Sequence, residues 1–280
     1  MAQTSTALIT LAKVKLYLGI TDENSDRILE AMIDRATGFM ERYCNRKLYT
    51  RSYTREVYYG SGFQKLVLDQ YPVTTVSRVS SGRANAFYVT NTTATNHATI
   101  EITSSALKYS ADGAAATSLA FATYTTINLL IAALNAISGW SATVMASSYG
   151  TRKSSDLLIR PGMYCLSPTQ AYCEIPNDEM TDYQLLSPSE DRNCGILYSP
   201  SGWTRGTEYF VDYTAGYTTV PLALEEAVLL LVAYRYNQKD QDQSIKQESM
   251  GDYSYTLRDM ANAIPSDIGS LIDLYRKRTL

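Results

Sequence analysis

Charged side chains fall in blocks along this chain, and the blocks restrict the folds open to it. Residues 1 to 50 carry 13 of them and residues 239 to 280 carry another 13, whereas residues 84 to 151 carry three: Glu101, Lys108 and Asp112. A charge-poor stretch rich in Thr, Ser, Ala and Tyr between charge-rich ends predicts an α+β chain, with a large β-rich module inserted into a helical frame. The frame is expected over residues 1–54 and 206–280 and the module over residues 55–205.

The ends read as helices because their apolar residues recur at helical spacing between capping signals. Thr10 is placed to cap a helix through Leu18, with Leu11, Val14, Lys15 and Leu18 in register and Gly19 as its stop. Ser25 is placed to cap a second helix, in which Ile28, Leu29, Met32, Ile33, Ala36, Phe39, Met40 and Tyr43 make one stripe. Pro221 stands where a first-turn proline belongs, and Leu222 to Asn237 follows as a third helix. Its Ala227 to Ala233 section is apolar all round, which predicts burial on most sides, by its own domain or by a neighbouring subunit. Ser266 can cap a last helix carrying Ile268, Leu271, Ile272 and Tyr275, ending in Arg276-Lys277-Arg278 where cations suit the helix dipole.

Between these helices the period shortens. Thr54 to Tyr59, Lys65 to Asp69 and Thr74 to Val79 are β-prone, separated by Gly60-Ser61-Gly62 and Tyr71-Pro72. Ala98 to Thr103, Ala106 to Ser110, a turn at Asp112-Gly113, a helix from Ile127 to Ile137 stopped by Gly139, and Ser141 to Ala146 read as a small β-β-α-β unit. Tyr209 to Tyr213 is the expected strand back into the frame, with Thr214-Ala215-Gly216-Tyr217 turning out of it.

Composition removes several classes of function. The 280 residues are 45% apolar, with 25 basic and 28 acidic side chains, a globular composition without the cationic excess that duplex binding needs. The apolar runs Leu129 to Leu134 and Ala227 to Tyr234 fall well short of the ~20 residues of a membrane-spanning helix, so no membrane association is expected. Met1 to Ile9 lacks the basic start of a signal peptide, which points to a cytoplasm, and there Cys44, Cys165, Cys173 and Cys194 are expected as free thiols.

Candidate chemistry is sparse. With His97 as the one histidine, multi-histidine zinc sites are excluded, and a loop position on a β module reads as solvated. Gly60-Ser61-Gly62 lacks the third glycine of a dinucleotide loop and reads as a turn. Asp240 to Ser244 resembles the opening of a calcium loop, but Ile245 replaces its glycine and Gly251 its bidentate Glu. No catalytic residue, cofactor or metal ligand is therefore expected. The 23 tyrosines suit either ordinary strands or surfaces where one end of the ring stays wet.

Three stretches together carry a resemblance. They are Leu8-Ile9-Thr10-Leu11-Ala12-Lys13-Val14-Lys15-Leu16-Tyr17-Leu18-Gly19-Ile20 with the helix ending Glu41-Arg42-Tyr43-Cys44; Tyr213-Thr214-Ala215-Gly216-Tyr217 with Val220-Pro221 and the helix to Tyr236; and Gly251-Asp252-Tyr253-Ser254 followed by Ile264-Pro265 and Leu274-Tyr275-Arg276. In order and spacing they resemble the head-to-tail adaptor, or head-completion, proteins of long-tailed bacteriophages. The resemblance covers about residues 8 to 50 and 205 to 278, and the middle is longer than in compact members.

The resemblance implies a structural protein without catalysis. It implies a homo-oligomeric ring, usually twelvefold, that joins the portal protein to a downstream tail or stopper protein at the virion neck, after assembly in the host cytoplasm. DNA would pass through its channel without sequence-specific binding. It also puts the C-terminal segment at a subunit or portal contact, with Leu271, Tyr275, Arg276, Lys277 and Arg278 as the partner-binding residues. Two alternatives stay open: a carbohydrate- or host-surface-binding virion module that reads through its Tyr-rich middle, and an enzyme using the carboxylates Asp178 and Glu179.

Overall fold

The computed structural model describes residues 4, 6–186, 195–238, 247–250, 253–256 and 266–277. It is a mixed α+β structure with several small antiparallel sheets, and its apolar side chains gather into three clusters.

The first cluster belongs to the helices. Helix α1 (Leu11–Leu18) is capped by Thr10, whose hydroxyl accepts from Lys13 N at 3.5 Å, and ends at Gly19 in the left-handed conformation. Helix α2 (Asp26–Cys44) buries Leu29, Ile33, Ala36, Met40 and Cys44, three or four residues apart, while Ile28 at the head of the expected stripe is exposed. Ser25 precedes α2 but does not cap it: its hydroxyl lies 3.0 Å from the Tyr236 hydroxyl and ties the start of α2 to the end of α5 (Leu222–Asn237). Pro221 sits one position earlier than expected, as the N-cap of α5, its carbonyl accepting from Leu224 N and Glu225 N. The apolar girdle of α5 is covered mostly within its own unit, with Ala227, Val228, Leu231, Val232 and Ala233 buried and Leu229 and Leu230 partly so. Helix α6 (Ser266–Ile272) runs into a 3-10 turn at Asp273–Tyr275 and puts Ile268 and Ile272 in the same core. The chain is extended at Arg276, so Arg276 and Lys277 follow the helix instead of occupying its last turn.

The second cluster is built on sheets. Strand β13 (Glu208–Ala215) lies between β1 (Arg51–Tyr59) and β3 (Val73–Ser81), antiparallel to both. Against it stands a small sheet of β11 (Gln184–Leu186), β12 (Ile196–Tyr198) and β2 (Lys65–Val67). Leu66, Leu68, Val79, Leu197, Trp203, Val211 and Tyr213 are buried between them. Residues 54 and 55, where the charge pattern divides frame from module, both lie inside β1, and β13, on the frame side, pairs with β3 on the module side.

The third cluster takes its buried side chains from Ala86 to Ile175. One sheet has the order β7 (Thr117–Ala120), β6 (Ala106–Ala111), β5 (Ala98–Ile102), β9 (Arg160–Tyr164). The other has the order β10 (Ala171–Pro176), β4 (Arg83–Asn91), β8 (Trp140–Val144). Helix α3 (Ile127–Asn135) contributes Ile127, Leu130 and Leu134 to their shared core, and the single turn α4 (Ser147–Gly150) follows β8. The elements expected of a β-β-α-β unit are present but do not form one sheet, because β8 pairs with β4 and not with β5 or β6. Strands β14 (Gln247–Met250) and β15 (Tyr253–Thr256) pair antiparallel with each other.

This third unit enters and leaves the chain at adjoining points. Arg83 pairs with Pro176, Asn177 N donates to Gly82 O at 3.2 Å, and the Asn177 amide donates to Ser81 O at 2.7 Å. Removing residues 83–176 and joining Gly82 to Asn177 through a short glycine linker should therefore leave a chain that still melts cooperatively with its helical circular dichroism. Closing a short gap costs little entropy, and the excised part carries its own core. The polar links given up include Arg83 to both carboxylate oxygens of Glu208, Arg78 to Asp156 at 3.1 Å and Arg55 to the Leu157 carbonyl. Loss of the cooperative melt in the shortened chain would show that the units are not separable.

Candidate interaction surface

The C-terminal residues singled out in the sequence are held against the end of α2, and a buried arginine does most of the holding. Arg46 donates from Nε to Tyr275 O at 2.7 Å, from Nη1 to Tyr71 O, and from Nη2 to the Tyr217 hydroxyl at 3.2 Å. Its guanidinium carbon also lies 3.9 Å from the centroid of the Tyr71 ring. One side chain thus joins α2, the loop before β3, the turn after β13 and the C-terminal segment. Glu41, one turn earlier, is buried too, and its carboxylate takes Lys47 Nζ at 2.8 Å, Arg51 Nη2 at 2.9 Å and the Leu48 amide at 3.3 Å.

The five expected partner-binding residues occupy different situations. Leu271 and Tyr275 are partly buried against the helical core, Tyr275 edge-on to Tyr217 with ring centroids 6.1 Å apart. Arg276 is exposed and lies over the Tyr43 ring, 5.5 Å from its centroid. Lys277 donates from its backbone to Cys44 O at 2.8 Å and from Nζ to Asp69 at 2.6 Å. Arg278 lies outside the described residues. The Tyr43 hydroxyl donates to Asp273 at 2.6 Å, and this bond to a carboxylate raises its pKa.

A second surface feature was not singled out. Helices α1 and α5 wall a groove of about 450 Å³ lined by Ile9, Lys13, Leu16, Tyr17, Leu222, Glu225, Glu226 and Leu229. Lys13 spans it to Glu225, both carboxylate oxygens lying 2.7 Å from Nζ. Among the described large apolar side chains the three most exposed are Leu16 (84%), Leu222 (81%) and Leu274 (78%), all in the helical unit. The first two line the groove, and the third is in the turn after α6. The signal was present in the sequence. Leu16 and Tyr17 fall off the stripe of α1, and Leu274 falls off the face carrying Ile268, Ile272 and Tyr275.

The remaining candidates show the following geometry. His97 is exposed, its ring 5.6 Å from that of Tyr164. Its backbone N–H, with those of Thr95 and Asn96, donates to Asp112, and these three bonds hold that carboxyl down at about 2. Asp178 is exposed, with Arg152 at 3.8 Å, and Glu179 makes a backbone bridge to Ser80. Cys44 and Cys165 are buried, and burial pushes their thiols up to about 11 and about 12, away from the thiolate that nucleophiles and metal ligands need. Among the described residues no group of three His, Cys, Asp or Glu side chains could hold a metal ion, and no helix is long and apolar enough to cross a membrane. Asp240 to Ser244 and Cys194 lie outside the described residues. A second aromatic pairing at the surface of the third unit is partly buried Tyr88 with exposed Tyr172, centroids 6.0 Å apart.

Solved structures that resemble this chain include two from phage-like particles. One is a chain in the neck of an empty gene transfer agent (GTA) particle computed with C6 symmetry, 14% identical over 100% of this chain and 95% of that one, with a TM-score of 0.38. The other belongs to the virion of a native gene transfer agent particle, 16% identical over 100% of this chain and 94% of that one, with a TM-score of 0.40. No curated protein matches. The family model for head completion protein matches residues 7–128 and 171–278. It therefore reaches well into the middle that the sequence resemblance left aside, and only residues 129–170 interrupt it. With the greater part of its length matched, the chain belongs to the head completion protein family.

Proposed function

We propose that this chain is a structural head-to-tail adaptor. Copies of it form a ring, twelvefold as in its family, between the portal protein and a downstream tail or stopper protein. The ring continues the DNA channel at the virion neck, is built in the host cytoplasm and performs no catalysis. The observation that carries this reading is the family match across both ends of the chain and most of its middle. Two physical features support it. The helical unit leaves leucines in water that a solitary domain has no need to expose. The formal charge of −3 suits a channel past which DNA must slide without sticking.

Native mass spectrometry and negative-stain electron microscopy of the purified chain, alone and mixed with portal protein, test the reading. A ring of one fixed subunit number is expected under at least one condition. A protein that stays monomeric at micromolar concentration in both removes the proposal.

A further inference from the structure

We infer that the groove between α1 and α5 receives the Leu274–Arg276 turn of a second copy of this chain, so that one protomer's C-terminal turn plugs its neighbour head to tail. The inference rests on the ring reading and specifies the contact that would build it. A closed ring of identical subunits needs two different patches on each copy, because a patch that binds itself ends at a dimer. The helical unit has two such patches. One is concave, with Leu16, Leu222 and Leu229 along its walls. The other is convex, with Leu274 standing out of the 3-10 turn that follows α6.

Charge is matched as well as shape. Glu226 lies in the groove and, among the described residues, has no ion-pair partner, whereas its neighbour Glu225 is taken by Lys13. Arg276 stands two residues beyond Leu274, exposed, and among the described residues it likewise pairs with no carboxylate. Seating Leu274 between Leu16 and Leu222 brings a cation to an acidic rim, and both leucines leave water in the same step. The C-terminal turn can present itself rigidly because Arg46 holds Tyr275 from behind and Lys277 is fixed to Asp69.

Disulfide trapping on the full chain decides it. Leu222→Cys and Leu274→Cys are made singly and together, with Cys194→Ser as background and the buried cysteines left in place. Under mild oxidation the double variant should give a ladder of covalent oligomers on a non-reducing gel, and each single variant should stay largely monomeric. Separately, Leu274→Asp should raise the concentration for half-assembly about tenfold or more with an unchanged melt, as removal of an interface anchor does. Arg276→Glu should weaken assembly in a salt-sensitive way, and adding Glu226→Arg should restore it. Covalent dimers from either single variant would mean a self-complementary contact and overturn the proposal. Rings that assemble without a ladder would overturn this contact while leaving the ring intact. Cross-links from Leu274→Cys to added portal protein, in place of a second copy, would also overturn it, and absence of any oligomer would remove the ring reading with it.

Discussion

Replacing Arg46 with Ala should destabilise the chain by about 3 to 5 kcal/mol, as read from urea unfolding followed by circular dichroism. The substitution takes the Arg46 donor away from the carbonyls of Tyr71 and Tyr275 and from the Tyr217 hydroxyl, around a guanidinium that is itself buried. An orphaned buried polar group costs about 1 to 3 kcal/mol, and a desolvated cation–π contact such as that with Tyr71 adds roughly 2. These costs do not simply add, because all four contacts share one side chain. Arg46→Lys should recover little, since an ammonium on a flexible stem cannot reach a backbone carbonyl on each side and a hydroxyl at once. A loss below about 1 kcal/mol in the alanine variant would mean that the C-terminal turn is held by its apolar contacts and its bonds to Tyr43, Cys44 and Asp69 without Arg46. Because Tyr275 is one of the residues released, the same variant should become more sensitive to protease near residues 266–277.

Arg46 also shows where sequence reading stops. Its carbonyl partners lie 25 and 229 residues away, and backbone acceptors carry no mark in the sequence. Nothing distinguishes it from Arg42 on the preceding turn until the fold is closed. The helices were legible because their signals are local: Thr10 and Gly19 bracket α1, and Leu29, Ile33, Ala36 and Met40 repeat down one face of α2. Ser25 failed as a cap because a tertiary partner, Tyr236, competes for its hydroxyl. Strand β4 went unread for a different reason. It is the central strand of its sheet, and its Ala, Asn and Thr side chains blur the alternation expected of a half-buried edge. Without β4 the sequence offers β8 only its neighbours β5 and β6 as partners, whereas its true partner lies about 50 residues upstream. The exposed leucines were legible as departures from a stripe, but only burial shows that three of them stay in water.

Gly216→Ala should cost about 4 kcal/mol or more by the same unfolding measurement. Gly216 is where β13 leaves the second core and the chain turns toward α5, at φ 108°, a region that side-chain-bearing residues rarely adopt. The conformation alone would cost about 1 kcal/mol. A Cβ at this position would lie 2.5 Å from Tyr49 O and 2.6 Å from Tyr49 C, and backbone atoms cannot rotate aside as a side chain does. To relieve the clash the turn must move away from residues 48–50. It would then lose Tyr217 N to Leu48 O at 2.7 Å and Thr50 N to Tyr217 O at 3.2 Å, with Gly216 N to Pro72 O at 2.9 Å at risk beside them. These bonds stitch the entry strand, the exit turn and the loop before β3 at the junction of sheet and helices, which the Tyr217 contact to Arg46 also secures. Gly206 supplies the control, since it too has positive φ, 78°, but nothing lies within 4 Å of an added Cβ. Gly206→Ala should therefore cost only the conformational part, about 1 kcal/mol. Equal losses in the two variants would mean that the junction at Tyr49 yields to the methyl and that its close packing does not bind the two units together.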